Sequence, residues 1–376
     1  MVKLTPPMGW NSWNTYGKDI SEQLIFETAD AMVDSGLLDK GYEYLVIDDC
    51  WSLKERDEKG RLVADPEKFP HGMKAVADYV HSRGLKFGMY SCAGNLTCAG
   101  YPGSFEHEFV DAATFAEWGV DFLKYDYCYH SPIIPGKYLY RRMGLALENC
   151  GRDILFSACS WGADETHEWI KTTGASMWRS TGDIFDTWES IKDLTRQQEK
   201  LHPYNGVGCF NDMDMLVVGM YGKGNVGLKG CSDIQYKTHF SIWAFMGSPL
   251  MIGCDVRSMN QQTLDILCNE EIIRINQDSA CRQPVKLTGT WAGDDLLLYS
   301  RQLENGDLAI GLFNLSEGKA SARLNLDEVG LPFSTGMTLK MRELWSGDTF
   351  KVTNSTLIYD LDPYDCAVFR ANVVKA

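Results

Sequence analysis

The sequence lacks the features of a nucleic-acid-binding, membrane-spanning or exported chain. Lys and Arg total 36 against 51 Asp and Glu, giving a net charge of -15, and they form no cluster. This excludes a polyanion as partner. The longest charge-free apolar stretch, residues 238–254, is interrupted by Gly247, Ser248 and Pro249 and is shorter than the roughly 20 residues of a membrane span. The first ten residues lack the apolar run of a signal peptide. We therefore expect no nucleic-acid or membrane partner.

Histidine is scarce and cysteine forms no recognisable pattern. The chain has 7 His and 12 Cys, without the short regular spacings of a disulfide scaffold or of a zinc site. A small disulfide-rich domain and a zinc module are therefore both excluded.

The chain instead contains short continuous apolar runs separated by helical patterns. Continuous runs are typical of strands that are covered on both faces, as in a parallel sheet. The expected strands cover residues 44–47, 85–90, 120–123, 154–156 and 249–252, and the expected helices cover 21–38, 71–82, 112–118, 138–149, 187–201 and 233–246. Repeated strand–helix units over about 275 residues predict a (β/α)₈ TIM barrel, with a doubly wound sheet as the alternative.

The pattern changes to alternating polar and apolar residues near residue 280. Expected strands follow at 296–300, 308–313, 322–326, 338–341 and 365–369, with turn residues between them. This alternation predicts an antiparallel β-sandwich. We therefore expect a barrel over residues 1–280 and a C-terminal sandwich domain over 281–376.

Polar clusters follow the predicted barrel strands, where barrel enzymes place their chemistry. These clusters cover residues 10–13, 48–51, 90–92, 124–128, 159–161, 178–183 and 211–214, together with Asp255. A single Asp after a strand is usually a helix cap or turn residue, which is a sufficient account of Asp255. Lys124 and Asp126 differ, because residues i and i+2 share one face of a strand. They are expected to point together into the barrel mouth, where the Lys would keep its neighbour ionised.

Five tryptophans fall in the same clusters: Trp10, Trp13, Trp51, Trp161 and Trp178. Burial is the default for any one of them, but five at one rim beside carboxylates suit the apolar face and the hydroxyl groups of a sugar. Two carboxylates facing one pocket are what glycosidic cleavage needs, although spacing alone does not choose which two. A Schiff-base enzyme using Lys124, a Mg²⁺-dependent enzyme and a non-catalytic sugar binder stay open as alternatives.

Several segments together resemble glycoside hydrolase family 27, the melibiase or α-galactosidase family. They are PPMGWNSW at 6–13, YLVIDDCW at 44–51, TCAGYPGS at 97–104, LKYD at 123–126, WRSTGD at 178–183, NDMDML at 211–216 and INQD at 275–278. The likeness extends from residue 5 to about 280 in the same order. The last hundred residues match in type, since the family carries an antiparallel β domain there.

The resemblance implies a retaining glycosidase without metal or organic cofactor, acting on a sugar with a terminal α-galactosyl-type group. Asp126 matches the family's nucleophile and Asp183 its general acid/base, whose pKa we expect to lie above that of Asp126. The implied sugar contacts are Asp48 and Asp49 to O4 and O6, Lys124 to O3 and O4, Arg179 near O2, and Trp13 as an apolar wall. Tyr90, Cys159, Trp161 and Asp214 also match pocket positions.

Two small residues raise a question of specificity. Many family members carry Cys-Glu-Trp where this chain has Cys159, Ser160 and Trp161. Ser160 and Ala163 resemble the pair that makes room for an acetamido group in vertebrate α-N-acetylgalactosaminidases. An α-galactosidase is expected, with α-N-acetylgalactosaminidase as the alternative. A β-L-arabinopyranosidase is a less favoured alternative. That pentose lacks C6, whereas this chain has Asp at both 48 and 49, the positions that match contacts to O4 and O6.

The cysteines also differ from those of secreted relatives. Cys98 and Cys128 match a family disulfide, so this pair is the disulfide candidate. Cys50 and Cys159 match bridged positions, but Lys18 and Ala175 stand where their partners should be. With at most one bridge retained, the resemblance predicts a microbial, cytoplasmic enzyme. A secreted form whose signal peptide was removed is the alternative. A homo-oligomer is left open.

Overall fold

The computed structural model describes residues 5–287 and 293–376. The first part contains eight strands: β1 (Met8–Asn11), β2 (Tyr44–Val46), β3 (Lys86–Cys92), β4 (Phe122–Asp126), β5 (Leu155–Cys159), β6 (Met177–Arg179), β7 (Phe210–Asp212) and β8 (Leu250–Ile252). The helices are α1 (Trp13–Tyr16), α2 (Glu22–Asp34), α3 (Gly72–Ser82), α4 (Glu108–Trp118), α5 (Gly136–Glu148), α6 (Thr166–Trp169), α7 (Trp188–Gln198), α8 (Asp233–Phe245), α9 (Gln261–Leu267) and α10 (Glu270–Asn276).

The eight strands form one parallel sheet in the order β7-β6-β5-β4-β3-β2-β1-β8. Strand β1 pairs with both β2 and β8, so the first and last strands are neighbours. After β7, Leu216 forms a parallel bridge to Ile252 in β8, and its N–H donates to the Met251 carbonyl at 2.7 Å. This contact joins the two ends of the sheet and confirms the predicted barrel.

All six predicted helices are present, with shifted ends. Helix α2 begins where expected, because the Ser21 hydroxyl accepts from the Leu24 N–H as an N-cap. It ends at Asp34 rather than at the predicted Leu38, because Gly36 follows with φ of +79°, outside the helical region. Helix α4 begins at Glu108 instead of Ala112. Within the described ranges, no helix combines the length and the apolar character needed to cross a bilayer.

The C-terminal part is an antiparallel β-sandwich, as predicted. Its strands are β9 (Val285–Lys286), β10 (Leu296–Gln302), β11 (Leu308–Asn314), β12 (Ala320–Asn325), β13 (Met337–Glu343), β14 (Thr349–Lys351), β15 (Thr356–Leu361) and β16 (Cys366–Lys375). One sheet has the order β14-β13-β16-β11-β10-β9, and β12 pairs with β15 in a second sheet.

The larger sheet is apolar on both faces. Ile310 and Leu312 of β11 pack toward the second sheet, whereas Ala309 and Phe313 join the core of the barrel. Phe313 contacts Phe245 of α8 with ring centroids 5.8 Å apart. The two parts therefore share a packed interface. The predicted boundary near residue 280 falls between α10 and β9, and the exact limits stay a prediction.

Candidate active site

A cavity of about 280 Å³ lies at the carboxyl ends of the barrel strands. Its wall consists of Trp13, Asn14, Asp48, Asp49, Tyr90, Cys98, Lys124, Asp126, Trp161, Arg179, Asp183, Ile184, Phe185, Asp214, Met215, Asn225 and Val226. Ten of the predicted catalytic and sugar-binding residues meet here. A larger hollow of about 530 Å³ lies near the opposite, amino end of β5, lined among others by Arg152 and Asp153. The smaller cavity is the candidate site, because barrel enzymes work at the carboxyl ends of their strands.

Asp126, the last residue of β4, is 6% exposed and held in a fixed orientation. One carboxylate oxygen, Oδ2, accepts from the Tyr90 hydroxyl at 3.0 Å, and the other accepts from the Tyr127 N–H at 2.9 Å. Burial raises the pKa of Asp126 to about 6, against the opposing charge of Lys124. Asp126 is thus an oriented carboxylate whose ionisation falls near neutral pH.

Asp183 follows β6 and has a different environment, since its side chain is 66% exposed. Its Oδ1 atom accepts from Arg179 Nη2 at 2.9 Å, and Nη1 of the same guanidinium contacts Asp214 Oδ1 at 3.0 Å. Partial burial works to raise the pKa of Asp183, but the charges of Arg179 and Lys124 outweigh it and lower the pKa. The expected order of the two pKa values is therefore wrong for the free protein, because the ion pair with Arg179 keeps Asp183 ionised.

Asp48, two residues after β2, and the partly buried Lys124 of β4 form an ion pair. Lys124 Nζ lies 2.8 Å from Asp48 Oδ2, which also accepts from Asn11 Nδ2 at 2.8 Å. Burial works to lower the pKa of Lys124, but the charges of Asp48, Asp126 and Asp214 raise it well above the usual range. A Schiff-base lysine needs the opposite, a lowered pKa. Lys124 is therefore suited to donating hydrogen bonds as a cation.

Asp49 is fixed by the loop that carries Cys98. Its Oδ2 atom accepts from the Ala99 N–H at 3.0 Å, and its Oδ1 atom accepts from the Cys50 N–H at 2.7 Å. Cys98 and Cys128 form the disulfide that the resemblance implied, and Cys50 and Cys159 are free. The disulfide thus connects the loop holding Asp49 to the segment directly after Asp126.

Among the described residues, one group of three donor atoms is close enough together to be considered as a metal site. The donor atoms of Cys98, Asp126 and Cys128 lie within 4.8 Å of one another. The two sulfur atoms are bonded to each other, so they offer no thiolate, the form in which cysteine binds metal. This group does not fit a metal ion.

Three predicted site residues lie away from the cavity wall. Cys159, at the end of β5, faces Arg179, whose Nη1 is 3.7 Å from its sulfur. Ser160, the next residue, is fully buried, and its hydroxyl lies 2.7 Å from the Thr166 hydroxyl. Ala163 is exposed. Because successive residues of an extended chain point to opposite sides, Ser160 points away from the barrel mouth and does not widen the pocket as expected.

Ser160→Ala tests this placement. We expect the ratio of activities on α-galactoside and α-N-acetylgalactosaminide substrates to stay unchanged, because Ser160 does not reach the cavity. The lost hydrogen bond to Thr166 should lower the free energy of unfolding by about 1 kcal/mol, measured by urea denaturation. A change in the substrate ratio would contradict the placement.

Two of the five tryptophans expected at the rim, Trp13 and Trp161, line the cavity. Trp10, Trp51 and Trp178 are buried, and each indole N–H donates to a buried acceptor in the barrel. The buried indoles tie neighbouring segments together, so the sugar platform is smaller than predicted.

Part of the cavity wall was not predicted from the sequence. Ile184 and Phe185 come directly after Asp183, while Asn225 and Val226 lie on a segment with five glycines between residues 219 and 230. Gly224 has φ of +85°, and a Cβ there would lie 2.8 Å from the Thr15 backbone. This close approach brings Asn225 over the cavity beside Trp13. The glycine-rich segment is the feature of the sequence from which this part of the cavity wall could have been predicted.

A barrel with two differently held carboxylates, further aspartates and two tryptophans in one strand-end cavity defines a glycoside hydrolase. A family model described as "Alpha galactosidase A" matches residues 5–278, and a second, "Alpha galactosidase C-terminal beta sandwich domain", matches 293–371. The chain belongs to glycoside hydrolase family 27, the α-galactosidase or melibiase family.

Individual relatives match over nearly the whole chain. An α-galactosidase of Cyamopsis tetragonoloba is 43% identical over 97% of this chain and 85% of its own length. The crystal structure of α-galactosidase I from Mortierella vinacea has a TM-score of 0.91 at 34% identity, covering 98% of this chain and 97% of its own. The Saccharomyces cerevisiae α-galactosidase with raffinose has a TM-score of 0.89 at 32% identity, covering 99% and 98%.

Proposed function

We propose that the protein is a retaining exo-α-galactosidase that removes terminal α-linked D-galactose from oligosaccharides or glycoconjugates. The observation that carries this proposal is the pairing of Asp126 and Asp183 in one cavity, the first buried and oriented, the second exposed beside Arg179. The relatives named as α-galactosidases support the sugar. The raffinose bound to the Saccharomyces cerevisiae relative supports an oligosaccharide substrate.

In the proposed first step, Asp126 attacks C1 of the galactosyl group while the bond from C1 to the leaving oxygen breaks. Asp183 gives its proton to that oxygen, and a covalent glycosyl-enzyme forms. In the second step Asp183 takes a proton from water, whose oxygen attacks C1 and releases Asp126. The hydrogen bonds from Tyr90 and Tyr127 hold the Asp126 carboxylate in one orientation before substrate arrives, which lowers the entropic cost of attack.

The remaining wall residues are proposed to select the sugar. Asp48, Asp49 and Lys124 form a charged group that can accept from and donate to the O3, O4 and O6 hydroxyls. Arg179 would lie near O2, and Trp13 offers a flat apolar face to the ring. Buried charged groups of this kind discriminate strongly, because a sugar without the matching hydroxyl leaves them unpaired.

The test is to measure kcat/KM side by side on the 4-nitrophenyl α-galactoside, α-N-acetylgalactosaminide and β-L-arabinopyranoside. We expect the galactoside to be preferred by at least about 100-fold, since a wall of fixed charges discriminates strongly among hydroxyl patterns. Proton NMR should show α-galactose as the first product, because two displacements retain configuration. Preference for either other glycoside would replace the proposed sugar. No nitrophenol release would leave a sugar binder, and borohydride trapping on Lys124 would support the Schiff-base alternative.

A cytoplasmic, microbial location stays a proposal. It is supported by the described cysteines outside the Cys98–Cys128 pair, which form no disulfide, since oxidising compartments favour disulfide-bonded cysteines.

A further inference from the structure

Phe185 is a large apolar side chain that is partly exposed to solvent at the cavity mouth. It lines the cavity and is 46% exposed. This exposure is unfavourable, because burying an aromatic ring of this size away from water stabilises a protein. Neither the proposed two-step chemistry nor the proposed contacts to the galactosyl hydroxyls uses it.

The position of Phe185 is set by its spacing from Asp183. Ile184, between them, is 1% exposed, whereas Asp183 and Phe185 are both exposed. In a non-helical segment this alternation places residues i and i+2 on the same side of the chain. The side chains of Phe185 and Asp183 therefore lie on the same side of the segment, the side that faces the cavity.

The segment that carries Phe185 is held on both sides. The Phe185 N–H donates to the Ser190 hydroxyl at 2.9 Å, and the Ile184 N–H donates to Asp214 Oδ2 at 2.8 Å. Asp186, the next residue, is fully buried and accepts from the Tyr236 hydroxyl at 2.9 Å. The ring is thus presented by a fixed backbone, so little conformational freedom is lost when a ligand packs against it.

A general acid must reach the leaving oxygen, so the group attached to that oxygen lies beside Asp183. We propose that Phe185 is the platform for the leaving group: its ring packs against the flat apolar face of a pyranose or aryl group that leaves, and it determines which galactosides are cleaved efficiently. This inference rests on the proposed function and assigns to Phe185 a role in the specificity for the leaving group.

The test compares melibiose, whose leaving group is a glucose ring, with α-galactosyl fluoride, whose leaving group is a single atom. For Phe185→Ala we expect the ratio of kcat/KM on melibiose to kcat/KM on the fluoride to fall about tenfold, the effect of losing a partly buried aromatic face. Phe185→Tyr, which keeps an aromatic ring, should have the same ratio as the unmodified protein. Phe333→Ala, at an 85% exposed phenylalanine of the sandwich domain, should leave both activities at the level of the unmodified protein.

Two results would overturn the inference alone: an equal loss on both substrates, which would indicate a general disturbance of the site, or an unchanged ratio. If the unmodified protein cleaves neither substrate, the proposed function fails, and the inference fails with it. Circular dichroism and thermal unfolding of each variant separate a local change from loss of the fold.

Discussion

Asp126→Asn is expected to lower kcat on 4-nitrophenyl α-galactoside by about four orders of magnitude or more, as loss of a nucleophile does in other covalent mechanisms. An amide of the same shape cannot form the glycosyl-enzyme, yet its oxygen can keep accepting from the Tyr127 N–H while its NH2 group donates to the Tyr90 hydroxyl oxygen. The melting temperature should therefore change little, and steady-state kinetics together with thermal unfolding would check both statements.

A smaller variant identifies the nucleophile by its product. Asp126→Ala leaves a space on the side of C1 opposite to the leaving group, and azide that enters it should displace the leaving group directly and give β-galactosyl azide. Asp255→Asn is the matched control: this aspartate follows β8, accepts from the Arg257 N–H and does not line the cavity. It should retain activity within about twofold, because it lies outside the cavity and the amide oxygen of Asn can keep accepting from the Arg257 N–H. Near-normal turnover by Asp126→Asn would contradict the assignment.

The barrel could be predicted because β2, β3, β4, β5 and β8 each contain a short apolar run, such as Leu155 and Phe156 in β5. Strands β6 and β7 could not be predicted as strands, because each has three residues and includes side chains such as Arg179 and Asp212. Their pairing depends on neighbours already in place, with Met177 and Trp178 beside Ser157 and Ala158. Three residues are too few to show the hydrophobic periodicity by which a strand is recognised in a sequence.

The site was predictable where a side chain's direction follows from strand alternation. Lys124 and Asp126 share a face, and both line the cavity. Ser160 was expected in the pocket because the resemblance matches its position in the sequence but does not fix which way its side chain points, and it points to the side opposite Cys159. The indoles of Trp10 and Trp178 were misplaced because an indole N–H that finds a buried acceptor makes full burial favourable. Such long-range partners are not visible in the sequence.

The inverted pKa order has a measurable consequence for the free protein. The productive form has Asp126 ionised and Asp183 protonated. In the free protein, burial raises the pKa of Asp126 and the ion pair with Arg179 lowers the pKa of Asp183, so a single proton shared by the two carboxylates prefers Asp126. The rate is then proportional to the singly protonated pair. Since kcat/KM reports the free enzyme, it should fall as the pH rises through about 6, where Asp126 loses the last proton of the pair.

Asp183→Ala should reverse that dependence. General acid catalysis contributes about 10²- to 10⁴-fold, so kcat/KM on melibiose should fall by that factor, with a much smaller loss on a dinitrophenyl galactoside that needs no proton. Asp126 then titrates alone and must be ionised to attack, so the remaining activity should rise through the range in which the unmodified protein declines, and stay high in alkali. Azide should increase turnover and give α-galactosyl azide, because it attacks the glycosyl-enzyme from the side that Asp183 vacated. A profile that still declines above pH 6 would place the controlling proton on a group other than this pair.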